Sequence, residues 1–263
     1  MEASLLAAGA LTGLLVGLTG VGGGALMTPL LLLVFGVAPM TAVGTDLWFA
    51  AITKLFASRI HQGHGLIDWP VVRRLWLGSL STSAITLAWM HFRPVADPDG
   101  AFLKSVIAVV IVLTSVGLLL HKQLHTLGYR LRTTSAERFK AVQAPLTILS
   151  GAVLGILVTL TSIGAGALGA VLLVYLYPLR LTPPRLIATD IAHAIPLAVF
   201  AGLGHLVIGN VDLSLLGNLL LGSIPGVVVG AVLSARLPHG VLRISLALVL
   251  FAIGLKLWWA VST

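Results

Sequence analysis

The sequence contains no cysteine, and only 9% of its 263 residues are Asp, Glu, Lys or Arg. The absence of cysteine excludes disulfides, thiolate metal sites and cysteine nucleophiles. The scarcity of charge excludes an ordinary soluble domain, in which about 25% of residues are charged. Apolar residues make up 58% of the chain, and the mean hydropathy is +1.07. Because charge is costly in contact with lipid, this composition indicates a protein that lies mostly within a bilayer.

The formal net charge of +8 is compatible in principle with nucleic-acid binding. In membrane proteins, however, basic residues accumulate in cytoplasmic loops. We therefore expect the lipid bilayer, and no nucleic acid, as a partner. The start, Met1-Glu2 followed by apolar residues, lacks the basic segment of a secretory signal peptide, so we expect the first span to be retained. No cofactor is expected.

Ten apolar segments are candidates for membrane-spanning helices, which need roughly 20 apolar residues to cross the hydrocarbon core. They lie near residues 3–19, 23–37, 43–62, 70–91, 101–121, 143–161, 165–178, 185–208, 212–235 and 240–261. The second and seventh segments are short, and each follows a glycine-rich break. The two helices joined by such a break either cross the membrane fully or re-enter it from the same side. The sequence therefore predicts an all-α polytopic membrane protein with 8–10 transmembrane segments.

Basic residues are concentrated in alternate loops. The basic set comprises Arg59, Arg73, Arg74, Lys122, Arg130, Arg132, Arg138, Lys140, Arg180, Arg185, Arg236 and Arg243, and the opposite set Arg93, Lys104 and Lys256. The positive-inside rule places the first set in the cytoplasm and both termini outside. The chain then divides into a first transmembrane repeat (1–121), a basic cytoplasmic linker (122–142) with affinity for anionic lipid head groups, and a second transmembrane repeat (143–263).

The two halves are similar to each other at an offset of 144 residues. The matches include Pro39 with Pro183, Thr45-Asp46 with Thr189-Asp190, His61 with His205, Gly65 with Gly209, and Asp68 with Asp212. Each half has five elements, and this odd number predicts that the two repeats are inverted relative to one another. In transporters built this way, broken helices meet near the membrane midplane and form the binding site.

The two glycine-rich breaks are the first candidate for that site. Each break presents the N-terminus of a short helix, whose free N–H groups and positive dipole end favour an anion. The predicted substrate-binding residues are Thr19, Gly20, Gly22, Gly23 and Gly24 in the first half and Thr161, Ser162, Gly164 and Gly166 in the second. The alternative is that these glycines only permit close helix packing.

Two carboxyl groups fall within apolar segments, those of Asp46 and Asp190, and each follows a threonine, Thr45 or Thr189. A carboxyl group in a partly dry site can carry a proton. We therefore assign Asp46 and Asp190, together with His193, to proton or cation coupling, and the two threonines to substrate binding. The alternative is helix N-capping, in which Thr and Asp side chains accept N–H bonds from the first turn.

Lys54 lies in the third segment and has no equivalent in the second half, where Ala198 aligns with it. Three interpretations stay open. Lys54 pairs with Asp46, about two turns away on one helix face; it supplies positive charge for an anionic substrate; or it snorkels toward the interface.

Four further polar residues have simpler interpretations. His61 and His205 are expected to be interfacial residues with satisfied hydrogen bonds. Asp68 and Asp212 precede the fourth and ninth segments and are expected to be their N-caps.

The ordered motifs resemble those of the TauE/SafE family of sulfite-exporter-like membrane transporters. They are Gly17-Leu18-Thr19-Gly20-Val21-Gly22-Gly23-Gly24 and Ala42-Val43-Gly44-Thr45 in the first half, and Gly209-Asn210-Val211-Asp212 and Gly222-Ser223-Ile224-Pro225-Gly226 in the second. The resemblance extends roughly from Leu11 to Leu237. It implies a bacterial inner-membrane transporter for sulfite, sulfonates or related small organosulfur anions. The Asp that follows Thr in both halves departs from the family pattern and favours proton coupling.

Three functions are compatible with these features. The first is a secondary transporter that exports a small anion by alternating access at the repeat interface, with or without proton coupling. The second is a cation or divalent-metal transporter that uses Asp46 and Asp190. The third is an integral membrane enzyme, which needs clustered acid, base or metal ligands; the acids here are few and scattered, so we expect no catalytic residues. The oligomeric state, monomer or homodimer, stays open.

Overall fold

The computed structural model describes residues 2–19, 24–61, 65–92, 100–134, 136–234 and 239–262. Within these ranges the protein consists of eleven α-helices and connecting turns. They are α1 Glu2–Thr19, α2 Gly24–Leu33, α3 Pro39–His61, α4 Trp69–Phe92, α5 Ala101–Leu119, α6 His121–Thr134, α7 Ala136–Thr161, α8 Ala167–Leu176, α9 Pro183–Ile208, α10 Leu213–Ser234 and α11 His239–Ser262.

Six stretches within these helices are long and apolar enough to cross a membrane. They are Glu2–Thr19, Ala101–Leu119, Phe139–Thr161, Pro183–Ile208, Leu213–Ser234 and Gly240–Val261. Large apolar side chains also cover the outer surface: Trp259 is 72% exposed and Val207 80%. An apolar exterior of this kind is stable in lipid and not in water. The predicted all-α polytopic membrane fold is confirmed.

Each of the ten predicted segments corresponds to a helix, and the structure adds one that the sequence analysis did not predict. Helix α6 occupies most of the predicted linker, and α7 begins at Ala136 rather than at residue 143. The two short helices, α2 and α8, have ten residues each. At 1.5 Å per residue, each measures roughly 15 Å, about half the hydrocarbon thickness.

Close helix packing depends on glycines inside the long helices. Helix α1 packs along α10, and α4 packs along α7. A Cβ atom added at Gly13 would overlap the backbone of Ser223, and one added at Gly78 would overlap the backbone of Ile148. Small residues drive such contacts in membranes, where the hydrophobic effect between helices is absent. Close packing therefore involves glycines inside the long helices, and the packing role of the break glycines stays an alternative.

The packed helix pairs correspond to each other under the internal similarity of the chain. The similarity equates α1 with α7 and α4 with α10, so the α1–α10 and α4–α7 pairs are equivalent. The α3–α9 and α5–α11 pairs each map onto themselves. This pattern is expected of two similar halves that intertwine. Their inverted orientation across a membrane stays a prediction.

The largest apolar core lies between helices of both halves. It includes Leu47 of α3, Ile107 of α5, Leu197 of α9 and Leu250 of α11, each almost fully buried. This core places α3 and α9 side by side in the centre of the molecule. Both helices carry the polar residues singled out in the sequence.

Candidate functional site

Asp46 and Asp190 lie inside their helices and not at the helix ends. Helix α3 begins at Pro39 and α9 at Pro183, because proline fits the first turn of a helix, where its missing N–H costs nothing. Each carboxyl group is therefore about two turns from the N-terminus of its helix. The N-capping alternative is wrong for both Thr-Asp pairs. Asp46 is 0% and Asp190 4% exposed.

The two threonines beside these acids join the halves of the chain. The backbone N–H of Asp68 donates to Thr189 Oγ1 at 3.0 Å, and the N–H of Asp212 donates to Thr45 Oγ1 at 3.1 Å. The similarity at an offset of 144 residues equates these two bonds. Both threonine side chains are fully buried. They therefore hold each half against the start of a helix in the other half.

Asp68 and Asp212 are the N-caps that the sequence predicts. Asp68 Oδ1 accepts from the N–H of Val71 at 3.4 Å, and Asp212 Oδ1 accepts from the N–H of Leu215 at 2.9 Å. The three-residue spacing is that of an N-cap side chain.

The second glycine-rich break is a sharp non-helical turn between α7 and α8. Ser162, Gly164 and Gly166 have φ angles of 61°, 121° and 131°, a region that glycine adopts readily and other residues rarely. No side chain caps the N-terminus of α8, whose first N–H groups have no partners within the helix. In the first break, Gly20, Gly22 and Gly23 lie outside the described residues, and Gly24 is the first residue of α2.

The hydroxyl groups near the breaks differ in the hydrogen bonds that they make within the protein. Thr19 Oγ1 donates to the carbonyl of Leu15 at 2.7 Å, and Thr161 Oγ1 donates to the carbonyl of Leu157 at 2.6 Å. Both bonds are turned toward the preceding turn of the same helix. Ser162 Oγ, in contrast, is buried and forms no hydrogen bond within 3.5 Å. Ser162 is therefore the predicted hydroxyl best suited to contact a ligand.

Lys54 reaches from the first half into the second break. Its Nζ donates to the carbonyl oxygen of Ala165 at 2.6 Å, and only 2% of the residue is exposed, so it does not snorkel to the interface. The ion pairs within 4.0 Å among the described residues involve Asp68 and not Lys54. The direct pairing of Lys54 with Asp46 is therefore not formed, although both Asp46 and Asp190 act on Lys54 electrostatically.

Asp46 contacts the short helix α2 and the second break. Its Oδ2 accepts from Thr28 Oγ1 of α2 at 2.5 Å, while its Oδ1 is buried without a partner. The Ser162 side chain lies beside the same carboxyl group. Thr28 was not singled out by the sequence analysis. The sequence feature that could have identified Thr28 is its position as the one hydroxyl residue in the otherwise apolar helix α2.

Asp190 and His193 complete the polar group. Asp190 Oδ1 has no partner and packs so closely on α8 that a Cβ added at Gly169 would lie 2.5 Å from it. His193 Nε2 lies 3.0 Å from Ser79 Oγ, and its Nδ1 is buried without a partner. Asp46, Asp190 and His193 are each within electrostatic range of Lys54.

We name these side chains the Lys54 cluster, which consists of Thr28, Asp46, Lys54, Ser162, Asp190 and His193. It brings together the predicted coupling residues and the second break in the centre of the molecule. Four of its buried atoms form no hydrogen bond within 3.5 Å: Asp46 Oδ1, Ser162 Oγ, Asp190 Oδ1 and His193 Nδ1, and the Ser162 side chain lies beside the Asp46 carboxyl group. Buried polar groups are rarely left unbonded in proteins. Such a group inside a membrane-spanning region indicates a ligand or ion pathway.

His205 is satisfied as predicted, but it is buried rather than interfacial. Its Nε2 lies 2.8 Å from the carbonyl oxygen of Thr159 in α7, and the residue is 0% exposed. The His61 side chain lies outside the described part of the structure.

The chain is similar to known membrane transporters along nearly its whole length. The family model "Sulfite exporter TauE/SafE" matches residues 5–257. The chain belongs to the TauE/SafE family. This confirms the resemblance drawn from the ordered motifs of the two halves.

Two bacterial relatives of this TauE/SafE protein are named as transporters. It is 38% identical over 262 residues to "Probable membrane transporter protein YjnA" of Bacillus subtilis (strain 168), covering 98% of this chain and 100% of the relative. It is 30% identical over 258 residues to "Probable membrane transporter protein YdhB" of the same organism, covering 94% and 96%. No solved structure matches the chain. The TauE/SafE protein is therefore a multi-pass membrane transporter and not an enzyme.

The arrangement of the described His, Asp and Glu side chains bears on the divalent-metal alternative. Within the ranges that the structure describes, no group of three or more His, Asp or Glu side chains is arranged to hold a metal ion. Asp46 is bonded to Thr28, and His193 lies beside Ser79. These contacts do not favour the divalent-metal alternative.

Proposed function

We propose that this TauE/SafE protein is a secondary transporter of a small anion, such as sulfite or a sulfonate, with the Lys54 cluster as its binding site. The observation that carries the proposal is the contact between Lys54 Nζ and the Ala165 carbonyl oxygen at 2.6 Å. It brings a buried positive charge to the N-terminal side of α8. An ammonium group and free helix N–H groups are both donors for an oxyanion.

Charge in the cluster supports coupling of the anion to protons. Lys54 contributes one positive charge, and Asp46 and Asp190 contribute two negative charges when ionised. An anion is then opposed by the carboxylates, and protonation of either acid removes that repulsion. By thermodynamic linkage, the anion and the proton each increase the affinity for the other. The unpartnered oxygen of each carboxyl group is the atom available to take the proton.

Export as the direction of transport is proposed from the family description. A divalent anion that moves with one proton still carries one negative charge. With the cell interior negative, the membrane potential favours the outward movement of that charge by about 2.3 kcal/mol per 100 mV. The bacterial inner membrane, which carries such a potential, is the proposed location.

Alternating access is proposed to involve the two bonds that join the halves. The acceptors of these bonds are Thr45, which accepts from Asp212, and Thr189, which accepts from Asp68. Each threonine directly precedes one of the two buried acids, Asp46 and Asp190. A ligand that changes the protonation of an acid therefore acts next to a contact between the halves. Opening of one bond while the other is kept would expose the cluster to one side at a time.

The test is transport by the purified chain in proteoliposomes loaded with sulfite, sulfate, thiosulfate, taurine, acetate or chloride. Lys54→Met is expected to lower transport of the preferred anion by about 10- to 150-fold, because a hydrogen bond to a charged group contributes about 1.5–3 kcal/mol. Lys54→Arg should retain part of the activity. Lys256→Met, which removes an exposed charge from α11, is the matched control and should leave transport unchanged.

Substitution of Asp46 and Asp190 distinguishes the anion-transport proposal from the cation-transport alternative. In the double variant Asp46→Asn/Asp190→Asn, anion transport is expected to persist while its dependence on pH is lost. Transport of a divalent cation that is lost in Asp46→Asn would replace the proposal by the cation function. Equal transport by Lys54→Met and Lys256→Met would remove Lys54 from the site.

A further inference from the structure

A second polar site lies away from the Lys54 cluster, at the junction of the linker helix with the second half. A cavity of about 500 Å³ is lined there by Arg132, Lys140, Gln143, Tyr177, Arg180 and Arg185. We name it the linker pocket. Its walls come from α6, α7, the turn after α8 and the first turn of α9. The volume falls in the range that accommodates a drug-sized molecule, larger than a simple oxyanion requires.

The linker pocket has an excess of positive charge. Arg180 donates to both oxygens of Asp68, with Nη2–Oδ1 at 2.8 Å, and Arg185 Nη2 lies 3.9 Å from Asp68 Oδ2. One carboxylate therefore stands against the four basic side chains Arg132, Lys140, Arg180 and Arg185. In addition, Arg185 Nε is buried without a protein partner. The pocket thus has more positive than negative charge in its lining, and Arg185 Nε is an unused donor.

The uncharged polar groups of the pocket are already engaged. Tyr177 Oη accepts from Arg74 at 3.3 Å and lies 2.8 Å from Thr147 Oγ1. Gln143 Nε2 donates to the carbonyl of Leu176. A ligand would consequently be recognised mainly by its negative charge. Arginine is well suited to phosphate because its planar donors match two oxygens at once.

The wall that α6 forms is held in place by packing. A Cβ added at Gly128 would overlap the carbonyl of Tyr175, so α6 lies directly on the end of α8. The rings of Phe139 and Tyr175 meet edge to face with centroids 6.2 Å apart. Arg132 therefore belongs to a helix with a fixed position and not to a loose loop.

The pocket also lies where lipid head groups are found. The candidate spans Phe139–Thr161 and Pro183–Ile208 begin beside it. Lys140 and Arg185 lie in the first turns of these spans. The ends of membrane-spanning helices coincide with the head-group region, and basic pockets between such helices bind anionic head groups.

We propose that the linker pocket binds the phosphate-bearing head group of an anionic membrane lipid. Arg132 and Lys140 face the phosphate from the linker side, and Arg185 faces it from α9, while Arg180 stays paired with Asp68. The site is separate from anion transport, so the proposal stands whether or not the Lys54 cluster transports sulfite.

The test is native mass spectrometry of the full chain in detergent, titrated with phosphatidylglycerol or with phosphatidylcholine of the same acyl chains. The double variant Arg132→Gln/Lys140→Gln should bind phosphatidylglycerol at least about tenfold more weakly, from the contribution expected of two basic residues near the head group. Arg132→Lys/Lys140→Arg keeps the charge and should keep the binding, which separates loss of charge from loss of fold.

The matched control removes the same charge from α6 outside the pocket. Lys122→Gln/Arg130→Gln changes two exposed residues and should alter the affinity less than twofold. Equal losses in the two double variants would overturn the proposal in favour of diffuse surface charge. Inorganic phosphate should not compete at millimolar concentration. If it displaces the lipid or binds equally well alone, the ligand of the pocket is free phosphate, and the lipid proposal is overturned.

Discussion

The contribution of the Asp68–Arg180 ion pair to the free energy of unfolding can be measured by comparing Asp68 with Asp212. Both residues are N-caps in equivalent positions, but only Asp68 forms the ion pair. Asp68 has a 1% exposed side chain that accepts two hydrogen bonds from Arg180, whose own side chain is 47% exposed. Asp212 caps α10 through Leu215, and the ion pairs within 4.0 Å in the described part of the chain are all at Asp68. Asparagine caps a helix about as well as aspartate. Asp→Asn therefore removes the ion pair and keeps the cap.

The expected magnitudes follow from these contacts. A hydrogen bond to a charged group contributes about 1.5–3 kcal/mol, and the half-exposed guanidinium recovers part of this through hydration. We expect Asp68→Asn to lower the free energy of unfolding by about 1–2 kcal/mol and Asp212→Asn by less than about 0.5 kcal/mol. At about 2–4 °C per kcal/mol, Asp68→Asn should lower Tm by about 2–8 °C.

The assay is thermal unfolding of both variants in the same detergent, followed by a double-mutant cycle with Arg180→Gln. In the Arg180→Gln background, Asp68→Asn should have a much smaller effect, because only the longer contact of Asp68 with Arg185, at 3.9 Å, is left to lose. Equal Tm shifts for Asp68→Asn and Asp212→Asn would refute the reasoning. They would mean that the ion pair contributes nothing beyond the cap.

Two further predictions concern packing and pH. Gly13→Val should destabilise the α1–α10 contact by about 1–3 kcal/mol or more, because its Cβ meets the Ser223 backbone. The control is Gly217→Val, which has open space around it. Similar thermal unfolding of the two variants would contradict this prediction. Burial and the neighbouring Arg243 lower the pKa of His121 to about 4, so neutral Nδ1 accepts from Arg243 Nη1 at 3.0 Å. Since an unfolded histidine takes up its proton near pH 6.5, this contact should stabilise the protein fully above pH 6.5 and be lost progressively toward pH 4. Hydrogen-exchange protection of α6 between pH 7 and 5 measures it, and constant protection would contradict the shift.

Features governed by short-range rules were predictable from the sequence. The caps at Asp68 and Asp212 depend on residues three positions apart, and the hydrophobic segments depend on local composition. The start of α3 was placed near residue 43 because the apolar pattern begins there, whereas the helix begins at Pro39. This small shift changed Asp46 from a potential cap into a buried group inside the helix.

The contacts of the site were not predictable, because they join distant parts of the chain. Lys54 and Ala165 are 111 residues apart, and Thr28 and Asp46 belong to different helices. Spacing along one helix suggested Asp46 as the partner of Lys54. The turn at residues 162–166 instead offers a carbonyl that points to Lys54, and no periodicity in the sequence carries that information.

The similarity between the halves extends to the scaffold but not to the charges of the site. Thr45 and Thr189 form equivalent bonds, whereas Lys54 aligns with Ala198 and His193 with Phe49. The two acids are consequently in different surroundings: Asp46 is bonded to Thr28, while Asp190 lies against Gly169. The two acids should therefore differ in how readily they exchange a proton. If coupling operates, Asp46→Asn and Asp190→Asn should thus alter the pH dependence of transport by different amounts, and identical pH profiles would mean that the unequal surroundings have no functional consequence.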